Sequence, residues 1–150
     1  MNAVPSAALT PAASAGSDSR VLGIGLLRAL LLGEAVLGLV IAIGLSMLAS
    51  GQNASLGGEA GREAEQTLRF AAGFSFLFAI FAAFASRGAR RRRTWSWTLA
   101  ALLQLILAVG TGIAILTAAW HPVYLLGFVL PAVVMLVLSA PSVRRALGQE

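Results

Sequence analysis

Apolar residues in this chain come in four runs, at about residues 21–49, 68–86, 95–118 and 122–139, and the polar positions fall almost entirely between them. A helix needs roughly 20 mostly apolar residues to cross about 30 Å of hydrocarbon, so each run is predicted to be a membrane-spanning helix. The fold class is therefore all-α, a four-helix transmembrane bundle forming one membrane domain over residues 21–140. Residues 1–20 are rich in Ala, Ser and Pro, a composition with too little apolar surface to order itself, and predict a disordered cytoplasmic tail. Residues 141–150 predict a short basic cytoplasmic tail. The start of the chain lacks the charged segment and compact apolar stretch of a signal peptide, and Leu48, Ala49 and Ser50 make a poor cleavage site; the first span is expected to be retained.

Each run has its own pattern. The first enters through Gly23, Gly25 and Arg28, whose long side chain can reach back to the headgroups. Ser50 to Gly61 is rich in Gly, Asn and Ser and reads as a loop; beyond it, Glu65 and Arg69 stand four apart, as an ion pair on a helix would. The second run separates at helical spacing into Phe70, Phe74, Phe78, Phe81 and Phe84 on one face, and Ala71, Ser75, Ala79, Ala82 and Ser86 on another. Small faces let membrane helices approach closely, which leaves the phenylalanines to lipid or to gaps between helices. Trp95 and Trp97 open the third run at headgroup level. Trp120, His121, Pro122 and Tyr124 predict a tight turn into the fourth.

Charge fixes an expected orientation. Arg20, Arg28, the loop residues Arg87, Arg90, Arg91, Arg92 and Arg93, and Arg144 and Arg145 lie on one side, with only Arg62 and Arg69 on the other. Basic residues beside spans stay in the cytoplasm, so both termini and the arginine loop are expected there, in a plasma membrane. The loop arginines are candidate contacts for lipid headgroups, anionic ones included. Because this positive charge sits beside spans, no nucleic-acid partner is inferred from it.

Composition narrows the chemistry. Hydrophobic residues make up 58% and charged residues 11% of the chain, against roughly 45–50% and 25% in soluble domains, too little charge to cover a water-facing globule. With no cysteine, disulfides and thiolate chemistry are excluded. There is no metal-ligand spacing, phosphate loop or nucleophile with its base, so no cofactor is expected and the chain is read as not an enzyme.

One residue stands out. Glu34 is an acid inside a span, where a charge is costly, and steps of four from it reach Gly38, Ala42 and Ser46, placing it on a small face that should point inward. Gln104 comes nine residues after Trp95, and Glu34 six after Arg28, on spans that run in the same direction; both lie in the cytoplasmic half or near the midplane. An acid that keeps its proton there can donate a hydrogen bond, and the Gln104 amide oxygen is the acceptor the sequence offers. The alternative is a proton site for transport, for which Thr111 and Tyr124 are the other candidate polar groups. In the fourth run, Pro131 has no amide to offer the Gly127 carbonyl, which predicts a kink.

The segments Gly33-Glu34-Ala35-Val36-Leu37-Gly38, Ser86-Arg87-Gly88-Ala89-Arg90, Trp95-Ser96-Trp97-Thr98-Leu99-Ala100, Leu103-Gln104-Leu105 and Leu138-Ser139-Ala140-Pro141-Ser142-Val143-Arg144-Arg145-Ala146-Leu147 resemble uncharacterised small four-span integral membrane proteins of actinobacterial type. That resemblance implies the fold and carries no site residues. The chain is also similar to small multidrug resistance transporters in having four spans and a glutamate in the first; it departs from them in its long amino-terminal tail, long outer loop and strong charge bias. The expected role is a non-catalytic accessory, assembly or structural component with a membrane-protein partner, and the alternative is a small proton-coupled transporter using Glu34, expected to be a homo-oligomer.

Overall fold

The computed structural model describes residues 12–56, 58–117 and 123–149. Among the described residues every regular element is helical: α1 (Ala12–Leu56), α2 (Gly58–Arg90), α3 (Thr94–Thr117), α4 (Val123–Ser139) and the short α5 (Pro141–Ala146). Three helices carry segments long and apolar enough to cross a membrane, Leu22–Gly51, Gly58–Arg90 and Thr94–Leu116, while the apolar stretch Gly127–Ser139 of α4 is shorter.

Two helices outrun the limits expected of them. Helix α1 begins at Ala12, so residues 12–20 of the expected disordered tail are helical; residues 1–11 lie outside the described residues. Alanine is the best helix former, and extending an existing helix is far easier than nucleating one, which lets Ala12, Ala13 and Ala15 continue α1 outward. At the other end, the expected loop over Ser50–Gly61 is mostly taken up by the end of α1 and the start of α2. Ser50 Oγ donates to the Ser46 carbonyl at 3.1 Å, a bond that keeps a polar residue compatible with helix. The Glu65–Arg69 ion pair is formed, at 2.5 Å. The turn expected around Trp120, His121 and Pro122 lies outside the described residues, as does the Tyr124 side chain.

Helix α1 packs chiefly on α2, and α3 sits between α2 and α4; α1 meets α4 and α5 more briefly, which leaves α1 and α3 diagonal to one another. The α1 seam runs through Leu27, Leu31, Glu34, Gly38, Ala42 and Ala49, all buried. Ala72, Ala79, Ala82, Ala85, Ser86 and Ala89 are the buried counterparts on α2, with Ala79 directly against Gly38 of the seam. Lipid is as apolar as leucine, so helices in a membrane associate through close packing rather than escape from water, and alanine and glycine permit it. At Gly38 a Cβ would lie 3.2 Å from both the Ala79 Cβ and the Ser75 carbonyl oxygen. The phenylalanines divide as the spacing implies: Phe70, Phe74, Phe81 and Phe84 are exposed on the bundle exterior, and Phe78 packs against the core.

That core sits at one end. Leu27 and Leu31 of α1, Ala82, Ala85 and Ala89 of α2, Ala100 and Leu103 of α3, Val134 and Leu138 of α4, and Val143 and Leu147 at α5 form one cluster. In α3 no described residue beyond Gln104 is buried. The α1/α2 and α3/α4 pairs are thus clamped together at the arginine-rich end, and among the described residues they share no buried core at the other.

Two helix ends close this clamp. At the end of α2, the Arg93 amide donates to the Gly88 carbonyl at 3.1 Å and the Arg92 amide to that of Ala89 at 3.1 Å. This is the pattern of a helix stop whose turning residue is left-handed; that residue is Arg92, at φ 51°. After α5 the same pattern recurs with Gly148, at φ 71°, in the turning place. Residues 141–149, expected as a plain tail, therefore dock: Val143 and Leu147 are fully buried. Trp97 Nε1 donates to the Leu138 carbonyl at 3.2 Å, tying the start of α3 to the last turn of α4.

Candidate functional site

Glu34 and Gln104 meet. They come from the diagonal helices α1 and α3, and both are nearly inaccessible, at 4% and 1% exposure. The seam of α1 turns Glu34 inward, because a stripe repeating every three to four residues lies on one helix face; Ala100, Leu103 and Gln104 do the same for α3. Gln104 Nε2 donates to Glu34 Oε1 at 3.0 Å and to Oε2 at 2.8 Å. The bond therefore runs opposite to the expected one, from amide to carboxyl. With Nε2 turned toward both carboxyl oxygens, Gln104 Oε1 is left buried without a partner, alone in this among the described residues. Rotating the amide by half a turn exchanges its acceptor for its donor, so the same pair can also accommodate a carboxyl that donates.

On its side away from the arginine turn, Glu34 forms part of the wall of a cleft of about 210 Å³. Gly38 and Ile41 of α1, Phe74, Ser75 and Phe78 of α2, Leu107 of α3 and Leu130 of α4 complete it. The cleft lies just beyond the shared core, where the two helix pairs cease to be clamped. Its lining is apolar apart from Glu34 and Ser75, and Ser75 Oγ is already committed to the Ala71 carbonyl at 2.9 Å.

Pro131 is buried in α4, which continues through it. The Gly127 carbonyl, four residues earlier, has no amide to accept from at position 131. Thr111 on α3 stands beside it: its hydroxyl donates its one proton mainly to the Leu107 carbonyl at 2.8 Å and lies 3.4 Å from the Gly127 carbonyl, with which it shares that proton weakly. A hydroxyl on a neighbouring helix is one way a membrane helix re-satisfies a carbonyl freed by proline. The Gly127 and Pro131 spacing identifies that carbonyl in the sequence, but the donor that reaches it depends on how α3 packs on α4.

Of the loop arginines, Arg87 and Arg90 stand in the last turn of α2 and Arg91, Arg92 and Arg93 form the turn to α3, all exposed. Arg28, which the sequence places on the same side as the loop arginines without bringing it near them, joins them across the α1/α2 seam: a cleft of about 560 Å³ is lined by Arg28, Leu32, Ala83, Ser86, Arg87, Arg90 and Arg91. Nothing in the linear pattern connects residue 28 with residues 87–91; only the packing of α1 on α2 does. Among the described residues, no group of three His, Asp or Glu side chains is placed to hold a metal ion. Compared with known protein families, with curated proteins and with solved structures, the chain matches none.

Proposed function

We propose that this chain is an integral membrane protein that crosses the plasma membrane four times, with both termini and the arginine turn in the cytoplasm, and that it serves as a non-catalytic accessory, assembly or structural component. Helices α1, α2 and α3 are long and apolar enough to span. Helix α4 has 17 residues, about 25 Å at 1.5 Å per residue, and its pairing with α3 supports counting it as the fourth span despite its length. Bilayers adapt to short helices by thinning locally.

The observation that carries the structural role is the Glu34–Gln104 bond. The most costly polar group in the spans is held by a partner on the diagonal helix and has its two oxygens occupied by one amide, an arrangement suited to fixing how four helices meet. Extraction of the tagged protein under mild conditions, followed by native mass determination, tests the role. A partner co-purifying in fixed stoichiometry supports it; a chain that forms only copies of itself counts against it.

A second reading has its own support in the apolar cleft against Glu34. There the chain is a small proton-coupled transporter, with Glu34 as the group that exchanges its proton. A Glu34→Gln variant that folds and inserts normally but no longer moves protons with a lipophilic cation would favour this reading. Unchanged proton movement would end it.

A further inference from the structure

The arginine-lined cleft between α1 and α2 has a neighbour. A second cleft, of about 300 Å³, is lined by Phe84, Arg87, Gly88, Arg91, Arg93 and Trp95, and the two share Arg87 and Arg91. Together they gather five guanidinium groups, from Arg28, Arg87, Arg90, Arg91 and Arg93, and no acid lines either cleft. Among the described residues the only ion pair is Glu65–Arg69, so none of the five is paired with a described acid. Spacings of three and four residues place Arg87, Arg90 and Arg91 on neighbouring helix faces, and the α1 seam brings Arg28 to the same level.

Each basic cleft borders apolar surface. Leu32 and Ala83 line the first, Phe84 and Trp95 line the second, and an open trough of Ile80, Ala83 and Phe84 leads away from Arg87 along the helix. Ala83, small beside Ile80 and Phe84, leaves room in that trough for a chain to lie. Cations above hydrocarbon-lined grooves match a phospholipid, whose phosphate meets guanidinium while its acyl chains run along the helices. Guanidinium binds phosphate oxygens through paired, charge-assisted hydrogen bonds. Two clefts sharing a pair of arginines match two phosphates held on one molecule.

We propose that the paired clefts form a stoichiometric binding site for a phospholipid carrying two phosphodiesters, a cardiolipin, in the cytoplasmic leaflet. Arg28 and Arg90 face one phosphate, Arg93 faces the other, and Arg87 and Arg91 stand between them. The proposal rests on the reading of the chain as a membrane protein, and it adds Arg28, which is distant in sequence from the arginine turn, to the site.

The test uses the full chain in phosphatidylcholine nanodiscs doped with cardiolipin or with phosphatidylglycerol at equal phosphate content, read by native mass spectrometry of retained lipid. Incorporation and helical circular dichroism are checked first, because failure to insert would refute the membrane reading itself. For inserted protein, the expected result is one cardiolipin retained per chain in preference to phosphatidylglycerol. Arg87→Ala with Arg91→Ala should reduce that retention roughly tenfold or more, given that each cation near a charged surface is worth a severalfold change. Arg28→Ala should reduce it by a smaller factor, and Arg144→Ala, outside both clefts, should leave it unchanged. Equal retention of the two lipids, or a loss from Arg144→Ala as large as that from Arg28→Ala, would mean only diffuse attraction to anionic membrane and would overturn the site.

Discussion

Replacing Gln104 by leucine should destabilise the bundle more than any loss of volume explains. The substitution removes a bond between diagonal helices, and such interhelical bonds in membrane proteins are worth about 0.6 kcal/mol on average and up to about 1.7. It also leaves the Glu34 carboxyl buried beside apolar neighbours, a penalty of about 1–3 kcal/mol for an unsatisfied group. The expected cost of Gln104→Leu is therefore about 2–4 kcal/mol. Adding Glu34→Leu removes the stranded acid, and replacing both partners by apolar groups of similar size is close to neutral, so the double variant should recover most of the loss. Glu34→Gln is the informative third member: two facing amides can exchange two hydrogen bonds, which gives the unpartnered Gln104 Oε1 a donor. That variant should match the wild type or exceed it by up to about 1 kcal/mol. Reversible unfolding in mixed detergent and lipid micelles measures all four proteins. If Gln104→Leu is as stable as the wild type, or if the two leucine substitutions simply add, the pair does not hold the helices together and the reasoning fails.

Other positions give independent checks. Gly38→Val forces a branched side chain against Ala79 and the Ser75 carbonyl, and the same unfolding assay should show a loss of about 1–3 kcal/mol from overpacking. Arg92→Gly relieves a left-handed arginine at φ 51° and should stabilise the fold by about 1 kcal/mol; a destabilised variant would show that the arginine side chain itself holds the turn. Leu147→Ala opens a cavity at a fully buried site and should cost about 2–5 kcal/mol, whereas no change would mean the segment after α5 is not docked. Thr111→Val removes the hydroxyl shared weakly with the Gly127 carbonyl and should cost about 0.5 kcal/mol, and less in a Pro131→Ala background, where the amide at residue 131 satisfies that carbonyl.

The parts of this molecule legible in its sequence are those set by local pattern. Runs of apolar residues located the helices, the alternation of Phe and Ala on α2 separated its outer and inner faces, and the cost of an acid in hydrocarbon singled out Glu34 and the small residues around it. Counting residues from Arg28 and Trp95 was enough to place Glu34 and Gln104 in the same half of the bundle or near its middle, because helical rise is constant. Helix ends were less legible. Gly, Asn and Ser around residues 50–61 carry loop propensities that the continuing helices override, and Ala12 to Arg20 extend α1 for the converse reason. The polarity of the Gln104 bond, the reach of Thr111 to Gly127, the docking of Val143 and Leu147, and the meeting of Arg28 with the arginine turn are all tertiary facts. Each depends on which helices are neighbours and which are diagonal, and no single helix's periodicity carries that information.

The absence of cysteine from the chain makes its topology directly measurable. Single cysteines introduced as Glu63→Cys, Thr94→Cys and Gln149→Cys can be probed in intact and permeabilised cells with a thiol reagent that does not cross membranes. Four spans with both ends inside predict that Glu63→Cys reacts in intact cells, while Thr94→Cys and Gln149→Cys react only after permeabilisation. Labelling of Gln149→Cys in intact cells, with Thr94→Cys still protected, would mean that α4 does not cross and that the bundle has three spans, contradicting the account at its centre.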